Sequence, residues 1–276
     1  MLHYPKPVFY NEYAEFPAQW IRELGAAGAI PDGIVDGRSI EHVAPEEITG
    51  FDLAHFFAGI GVWAYALEAA GWPRSGLRTW TASLPCQPWS QAGKRGGFDD
   101  ERHLWPVFYR LVQRCQPAVI FGEQVASPDG LAWLDRVFAD LEGTGYAVAA
   151  VDTPAAGFGA PQKRQRLYWL AARVGDTAHI KRELQRSGRP ESIRWEEPVG
   201  ERGSPDPKGG TSGYWHDALW IQCLDDYQRA VGPGLRTLAD RSAWGVESLR
   251  GYGNACNAEA AIGFVRAAIE ALSEAA

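Results

Sequence analysis

The sequence predicts a doubly wound α/β fold on a mostly parallel, seven-stranded sheet, with a small irregular region towards the C-terminal end. Three observations lead there. Up to about residue 173, short runs of β-branched and aromatic residues alternate with stretches whose apolar residues recur at spacings of three and four, the pattern of βα units. Beyond that point the alternation gives way to a Gly, Pro, Arg and Glu mixture, RSGRPESIRWEEPVGERGSPDPKGGTSGYW, with neither period sustained. The chain has 276 residues, 46% apolar and only 22% charged, so it can bury a substantial core and is not disordered.

The strands are expected at Lys6 to Tyr10, Gly33 to Asp36, Asp52 to Phe57, Arg78 to Ser83, Ala118 to Gly122, Tyr146 to Asp152 and Arg166 to Arg173. Each is a run of four to eight residues with β-branched or aromatic side chains, which suits the strands of βα units around a parallel sheet. Helices are expected at Ala14 to Ala27, Gly61 to Ala70, His103 to Arg114 and Pro128 to Glu142. A last helical signal lies in NAEAAIGFVRAAIEAL, where Ala260, Ile262, Phe264, Val265, Ile269 and Leu272 form one apolar face that packs back on the main domain. The expected organisation is a catalytic domain over 1–175, a small recognition region over 176–244 and a returning C-terminal segment over 245–276.

No apolar stretch reaches the roughly 18 uncharged residues of a membrane span, and MLHYPKPVFYNEY lacks the basic, apolar and small-residue succession of a secretion signal. The cytosol is the expected compartment. The four cysteines, at 86, 115, 223 and 256, form no C-x-x-C pair, which speaks against a zinc site or a disulfide framework. A net charge of −7 argues against indiscriminate coating of nucleic acid. From Lys163 to Lys208, however, eleven basic residues face seven acidic ones, so this segment carries an excess of +4 and the rest of the chain −11. Read alone, that segment fits a solvated charged face as well as an anion-binding one.

Four pieces of the chain carry chemical possibilities. FFAGIG (Phe56 to Gly61) ends a strand and opens a helix, where backbone N–H groups meet ligands, although tight strand-to-helix packing explains such glycines equally well. SLPCQPWS places Cys86 just past a strand, between two prolines, a setting that fits a reactive thiolate or simple packing. VIFGEQV sets Glu123 at the C-terminal end of an apolar run, as a ligand-facing or a capping carboxylate. In APQKRQRLYWLA, Gln162, Arg164 and Arg166 alternate, so in extended backbone they share one face and suit a polar or anionic target.

Together these pieces resemble, in order and type, the motifs of the DNA cytosine-5 methyltransferases. The glycine motif is matched by Phe57, Ala58, Gly59 and Gly61, the nucleophile motif by Pro85, Cys86 and Gln87, the glutamate motif by Glu123, and Q-x-R-x-R by Gln162, Arg164 and Arg166. GYGNACNAEAA resembles the closing motif, with Asn254 as its asparagine. The resemblance implies a Rossmann-like fold that binds S-adenosyl-L-methionine, releases S-adenosyl-L-homocysteine and uses no metal. It implies double-stranded DNA as partner and a monomer of bacterial or phage type. Cys86 would attack C6 of a flipped-out cytosine. Glu123 would hold its N3 and amino edge, Arg166 its O2, and Arg164 would support the site. Pro85 and Asn254 would line the cofactor. Gln87, Ser90, Lys94, Arg95 and Gln162 would meet substrate, with Lys94 and Arg95 on phosphates in a closing loop. Two other readings remain open: the same chemistry on RNA, and a catalytically silent DNA-binding relative.

Two departures from the family pattern stand out. Gln124 follows the glutamate where the family has asparagine. Moreover, only about 25 residues separate Gly61 from Cys86, too few for the two acid-bearing strand units that usually lie between them. The N-terminal segments VFYNEYAEFPAQWIREL and GIVDGRSIEHV supply such units, which predicts a permuted order in which Glu12 and Asp36 flank the cofactor. The plain alternative makes them a helix cap and a turn residue. Permutation requires Glu12 to lie close to the Gly59 to Gly61 turn.

Overall fold

A computed structural model describes residues 7–73, 76–84, 104–160, 163–187, 219–222, 228–231 and 255–274. Its elements run β1 (Val8–Asn11), α1 (Glu15–Ala26), β2 (Gly33–Asp36), α2 (Pro45–Ile48), β3 (Leu53–Phe56), α3 (Val62–Ala69), β4 (Thr79–Ala82), α4 (Trp105–Cys115), β5 (Val119–Val125), α5 (Pro128–Glu142), β6 (Tyr146–Pro154), β7 (Gln165–Arg173), α6 (Thr177–Ser187), β8 (Leu219–Gln222), β9 (Gln228–Val231) and α7 (Ala258–Glu274). Seven strands form one sheet in the order β2-β1-β3-β4-β5-β7-β6, and β8 and β9 form a separate antiparallel pair. Four pairings in the large sheet are parallel, and the two made by β7 are antiparallel. The doubly wound, mostly parallel expectation therefore holds. No helix among the described residues is long and apolar enough to cross a membrane.

Strand alternation distributes the core between two layers. Val8, Tyr10, Leu53, Val119 and Phe121 face the layer that holds α1, α3, α6 and α7. Phe9, Ala54, Phe56, Trp80 and Ile120 face the layer that holds α2, α4 and α5. The second layer is built on aromatic contacts: Phe56 lies 4.9 Å from Trp80 and 5.3 Å from Phe108, and Trp105 meets Trp133 edge-on at 5.9 Å. Each such side chain, fully buried, contributes roughly 1.5–3 kcal/mol. α4 joins this layer because Trp105, Phe108, Leu111, Val112 and Cys115 fall on one stripe of a 3.6-residue period. α5 starts where the Ser127 hydroxyl accepts the Gly130 N–H at 3.0 Å.

One crossover has the uncommon hand. From β1 the chain steps to β2 through α1, and from β3 it steps in the opposite direction to β4 through α3, yet both helices lie in the same layer. The steps β2 to β3, β4 to β5 and β5 to β6 run in the β3 to β4 direction, with their helices in the other layer. Reversing either the direction or the face reverses handedness, so four connections share one hand and β3-α3-β4 has the other. Since such crossovers are right-handed in about 98% of cases, β3-α3-β4 is left-handed.

His55 sits buried in mid-sheet, stacked on Tyr10 at 5.1 Å, with Nδ1 2.8 Å from the Thr81 hydroxyl. Its Nε2 is buried without a hydrogen-bond partner. Burial pushes its pKa down to about 3, against about 6.5 in an unfolded chain, so protonation favours unfolding. Stability is therefore intact above pH ~6.5 and falls as the pH drops from there towards 3. Between pH 7 and 5 the wild type is expected to lose about 2 kcal/mol more than His55→Asn in urea titrations. Equal losses would show that another group governs that slope.

The segment after Arg173 differs from its loop-rich expectation at two places, α6 and the β8–β9 pair. Helix α6 has only Ile180 and Leu184 buried in the core, too sparse an apolar pattern to stand out in a charged sequence. It lies at the edge where the parallel strands begin: His179 Nε2 is 2.7 Å from the Gly76 carbonyl, and the Gly76 N–H donates to Asp52, just before β3. Arg173, Lys181, Arg182 and Arg186, counted in the basic segment, are thus on the far side from the strand C-termini. Arg173 pairs with Asp176 and Arg186 with Glu183.

Candidate active site

The C-terminal ends of β1 to β5 and the start of β7 share one edge of the sheet. There Phe57, Gly59 and Gly61 all have positive φ, at 51°, 55° and 81°. Glycine takes that region freely, but for Phe57 it is a strained position. In this turn the Ala58 N–H donates to the Asn11 carbonyl and the Gly61 N–H to the Ala58 carbonyl, while the Gly59 N–H is turned to an acceptor outside the turn. That acceptor is a carboxylate. Glu12 Oε2 accepts the Gly59 N–H at 2.7 Å, while its Oε1 accepts the Ala14 N–H at 2.9 Å at the start of α1. Burial raises the Glu12 pKa against the opposing pull of these two N–H donors. Tyr13, the next residue, is 76% exposed.

Asp36 ends β2 at the same edge, and its carboxylate is held by Arg38, whose Nη2 donates at 2.6 Å and whose backbone N–H donates at 2.9 Å. That hydrogen bond holds the Asp36 carboxyl below the usual carboxylate range. Arg38 also donates to Glu47 at 2.9 Å. Asp36 is therefore shared with Arg38 before any ligand arrives, a partner visible in sequence only as a cation two residues on.

At the other half of the edge, Arg166 Nε meets Glu123 Oε1 at 2.6 Å. The pairing follows from register. Glu123 lies opposite Tyr168 and Val125 opposite Arg166, so Glu123 and Arg166 are diagonal neighbours on one face of an antiparallel pair. Glu123 is 8% exposed. Burial raises its pKa, opposed by the charges of Arg166 and Arg164, and burial prevails. The result is a desolvated carboxyl that takes up a proton more readily than a solvated one, beside a guanidinium that can hold an oxygen.

Arg164 departs from the extended alternation expected for Gln162, Arg164 and Arg166. The strand begins at Gln165, and Arg164 has φ 32°, outside any extended conformation. Its Nη2 donates to the Ala255 carbonyl at 2.6 Å, so it holds the segment leading into α7. Tyr168 supports the same segment by donating to the Asn257 carbonyl at 3.3 Å. Asn257 in turn accepts the Ala260 N–H in the first turn of α7 at 2.9 Å. Cys256, between them, is free, with burial pushing its thiol pKa up.

Of the expected site residues, the structure places Glu12, Asp36, Phe57, Ala58, Gly59, Gly61, Glu123, Arg164 and Arg166 at this one edge. Pro85, Cys86, Gln87, Ser90, Lys94, Arg95, Gln162 and Asn254 lie outside the described residues. Sequence reasoning passed over Tyr13 and the contacts of Gln124. An aromatic directly after an acid just past a strand was the available signal.

Fold and edge together define a Rossmann-like α/β protein with its candidate site residues at the strand C-termini. Residues 75–209 match the model of the C-5 cytosine-specific DNA methylase family. It is 35% identical over 89 residues to the type II methyltransferase M.AplI of Arthrospira platensis, covering 32% of this chain and 26% of that one. Similarity to M.HhaI of Haemophilus parahaemolyticus is 27% over 169 residues, covering 48% and 52%. With M.PspPI of Psychrobacter sp. it is 28% over 276 aligned positions, covering 76% and 65%. The matches thus span less than two thirds of each relative. Among solved structures, the S. pombe Dnmt2 methyltransferase aligns at 15% identity over 68% of this chain and 57% of the other, with a TM-score of 0.35.

Proposed function

We propose that this protein methylates C5 of cytosine in double-stranded DNA, using S-adenosylmethionine and a covalent step at Cys86. The observation that carries the reading is the buried Glu123–Arg166 pair, which lies inside the family match together with Pro85, Cys86 and Gln87. C5 of cytosine is a poor nucleophile. Bond formation from the Cys86 sulfur to C6 moves electron density to C5, which takes the methyl group; C5 then loses its proton, and the sulfur–C6 bond breaks to restore the ring. Glu123 holds N3 and the amino edge as the ring gains charge, and Arg166 holds O2. Arg164 acts on these groups through the Ala255 carbonyl. The base must leave its stack to reach them, at a cost of about a few kcal/mol. Lys94 and Arg95 take phosphates, and the region from the end of α6 to about residue 244 chooses the site.

The turn after β3 fits the cofactor. A Cβ on Gly59 would meet nothing within 4 Å, which leaves room for a ligand against the backbone. Glu12 stands beside it as an acceptor for hydroxyls, Asp36 lies on the neighbouring strand, and Tyr13 offers a flat apolar surface. When bound, S-adenosylmethionine supplies the electrophilic methyl group. The Glu12–Gly59 contact also supports a permuted order, as does crossover handedness: were β3-α3 followed by β1-α1-β2-α2 and then β4, every crossover would have the common hand. The family match begins at residue 75, just after α3, where a changed order breaks collinearity.

A trapping assay tests the activity: protein and S-adenosylmethionine are mixed with duplex DNA carrying 5-fluorocytosine, whose C5 fluorine blocks release, and with matching RNA. An adduct on Cys86 with DNA alone is expected. An adduct with RNA alone would move the activity to RNA, and no adduct on varied sequences by protein that still binds S-adenosylhomocysteine would overturn it. In parallel, Glu12→Ala is expected to weaken S-adenosylhomocysteine binding about 10- to 100-fold, the value of a charge-assisted hydrogen bond; unchanged affinity would reject the permuted assignment of Glu12.

A further inference from the structure

Gln124, the departure from the family's asparagine, has a defined task at this edge. It is 2% exposed and one residue past Glu123. The parallel ladder between β4 and β5 ends with Ala82 opposite Gly122. Two residues further in the same register, Leu84 would stand opposite Gln124, but Pro85 follows and brings no N–H to continue the ladder. The Gln124 side chain takes over there. Its Nε2 donates to the Leu84 carbonyl at 3.4 Å, and its Oε1 accepts the Val125 N–H at 2.9 Å. The Leu84 carbonyl would otherwise be left without this partner in a buried setting, since Leu84 is 4% exposed, whereas Val125 is 42% exposed.

We infer that Gln124 is a positioning residue for the nucleophile: its amide extends the β4–β5 pairing by one side-chain rung and fixes the Leu84 carbonyl, two residues before Cys86 in the chain. This rests on the reading of Cys86 as the attacking group. An asparagine at 124 is one methylene shorter, so from the same backbone it is expected to hold the two partners less well. Small errors at this point are costly, because a displacement of about 1 Å between reacting groups can slow chemistry about 100-fold.

The test compares wild type, Gln124→Asn and Gln124→Leu in the full-length protein by two readouts. Amide hydrogen exchange over residues 82–90 reports the anchor without needing activity, and the single-turnover rate of adduct formation on 5-fluorocytosine DNA reports the chemistry. Exchange is expected to quicken about ten-fold in Gln124→Leu and less in Gln124→Asn. Adduct formation is expected to slow about ten-fold or more, with the affinities for S-adenosylhomocysteine and DNA within two-fold of wild type. Unchanged exchange in both variants, or faster exchange with an unchanged adduct rate per folded molecule, would overturn the inference. A wild type that forms no adduct would instead refute the activity, and hydrogen exchange would still decide whether Gln124 anchors Leu84.

Discussion

Glu123→Gln is expected to slow methyl transfer about 10²- to 10⁴-fold while leaving S-adenosylhomocysteine affinity within a few-fold. The variant keeps the shape of the side chain and its place opposite Tyr168, but it removes both a carboxyl that burial inclines to take up a proton and the ion-pair partner that Arg166 meets at 2.6 Å. Two losses follow. The cytosine ring has no acid at N3 as the sulfur adds to C6, and the half-buried Arg166 loses its fixed partner, so its hold on O2 drifts. Single-turnover transfer from labelled S-adenosylmethionine measures the first effect, with circular dichroism as control for folding. A rate within ten-fold of wild type would remove Glu123 from the chemistry.

Gly122→Ala, one residue earlier, is expected to destabilise the fold by about 3 kcal/mol or more, a melting temperature lowered by about 10 °C. Gly122 stands opposite Trp169 on β7, and the fully buried indole lies across the glycine where an added Cβ would clash with its ring atoms. Close-packed interiors do not give way cheaply. Because β5 carries Glu123 on the next residue, any separation of β5 from β7 also parts Glu123 from Arg166. Thermal unfolding of Gly122→Ala and of Gly122→Ala with Trp169→Leu tests the mechanism: the smaller side chain should restore part of the loss. A melting temperature within 2 °C of wild type in the single variant would contradict the packing account.

The two predictions meet in a short stretch whose sequence, FGEQV, announced an acid at a strand end but said nothing of what stands across from it. The same division runs through the molecule. Strands such as Gly33–Asp36 and helices such as Pro128–Glu142 were legible because their apolar period, caps and breakers are local. Helix α6 was not, since two buried residues among many charges leave almost no periodic signal. Alternation does not place Arg164, because its backbone turns to φ 32° just before the strand.

By itself the sequence determined the α/β class, the succession of elements and the identity of the chemical groups, because these depend on neighbours within a turn or a strand. Tertiary structure decided which groups meet: Glu12 with Gly59, Glu123 with Arg166, Arg164 with Ala255, and Gln124 with Leu84. It also decided that β3 leads to β4 by a left-handed crossover and that the basic residues of α6 lie at the far edge. Those outcomes rest on register and on the order in which strands join the sheet, and both are set by packing between residues tens of positions apart, where local periodicity carries no information.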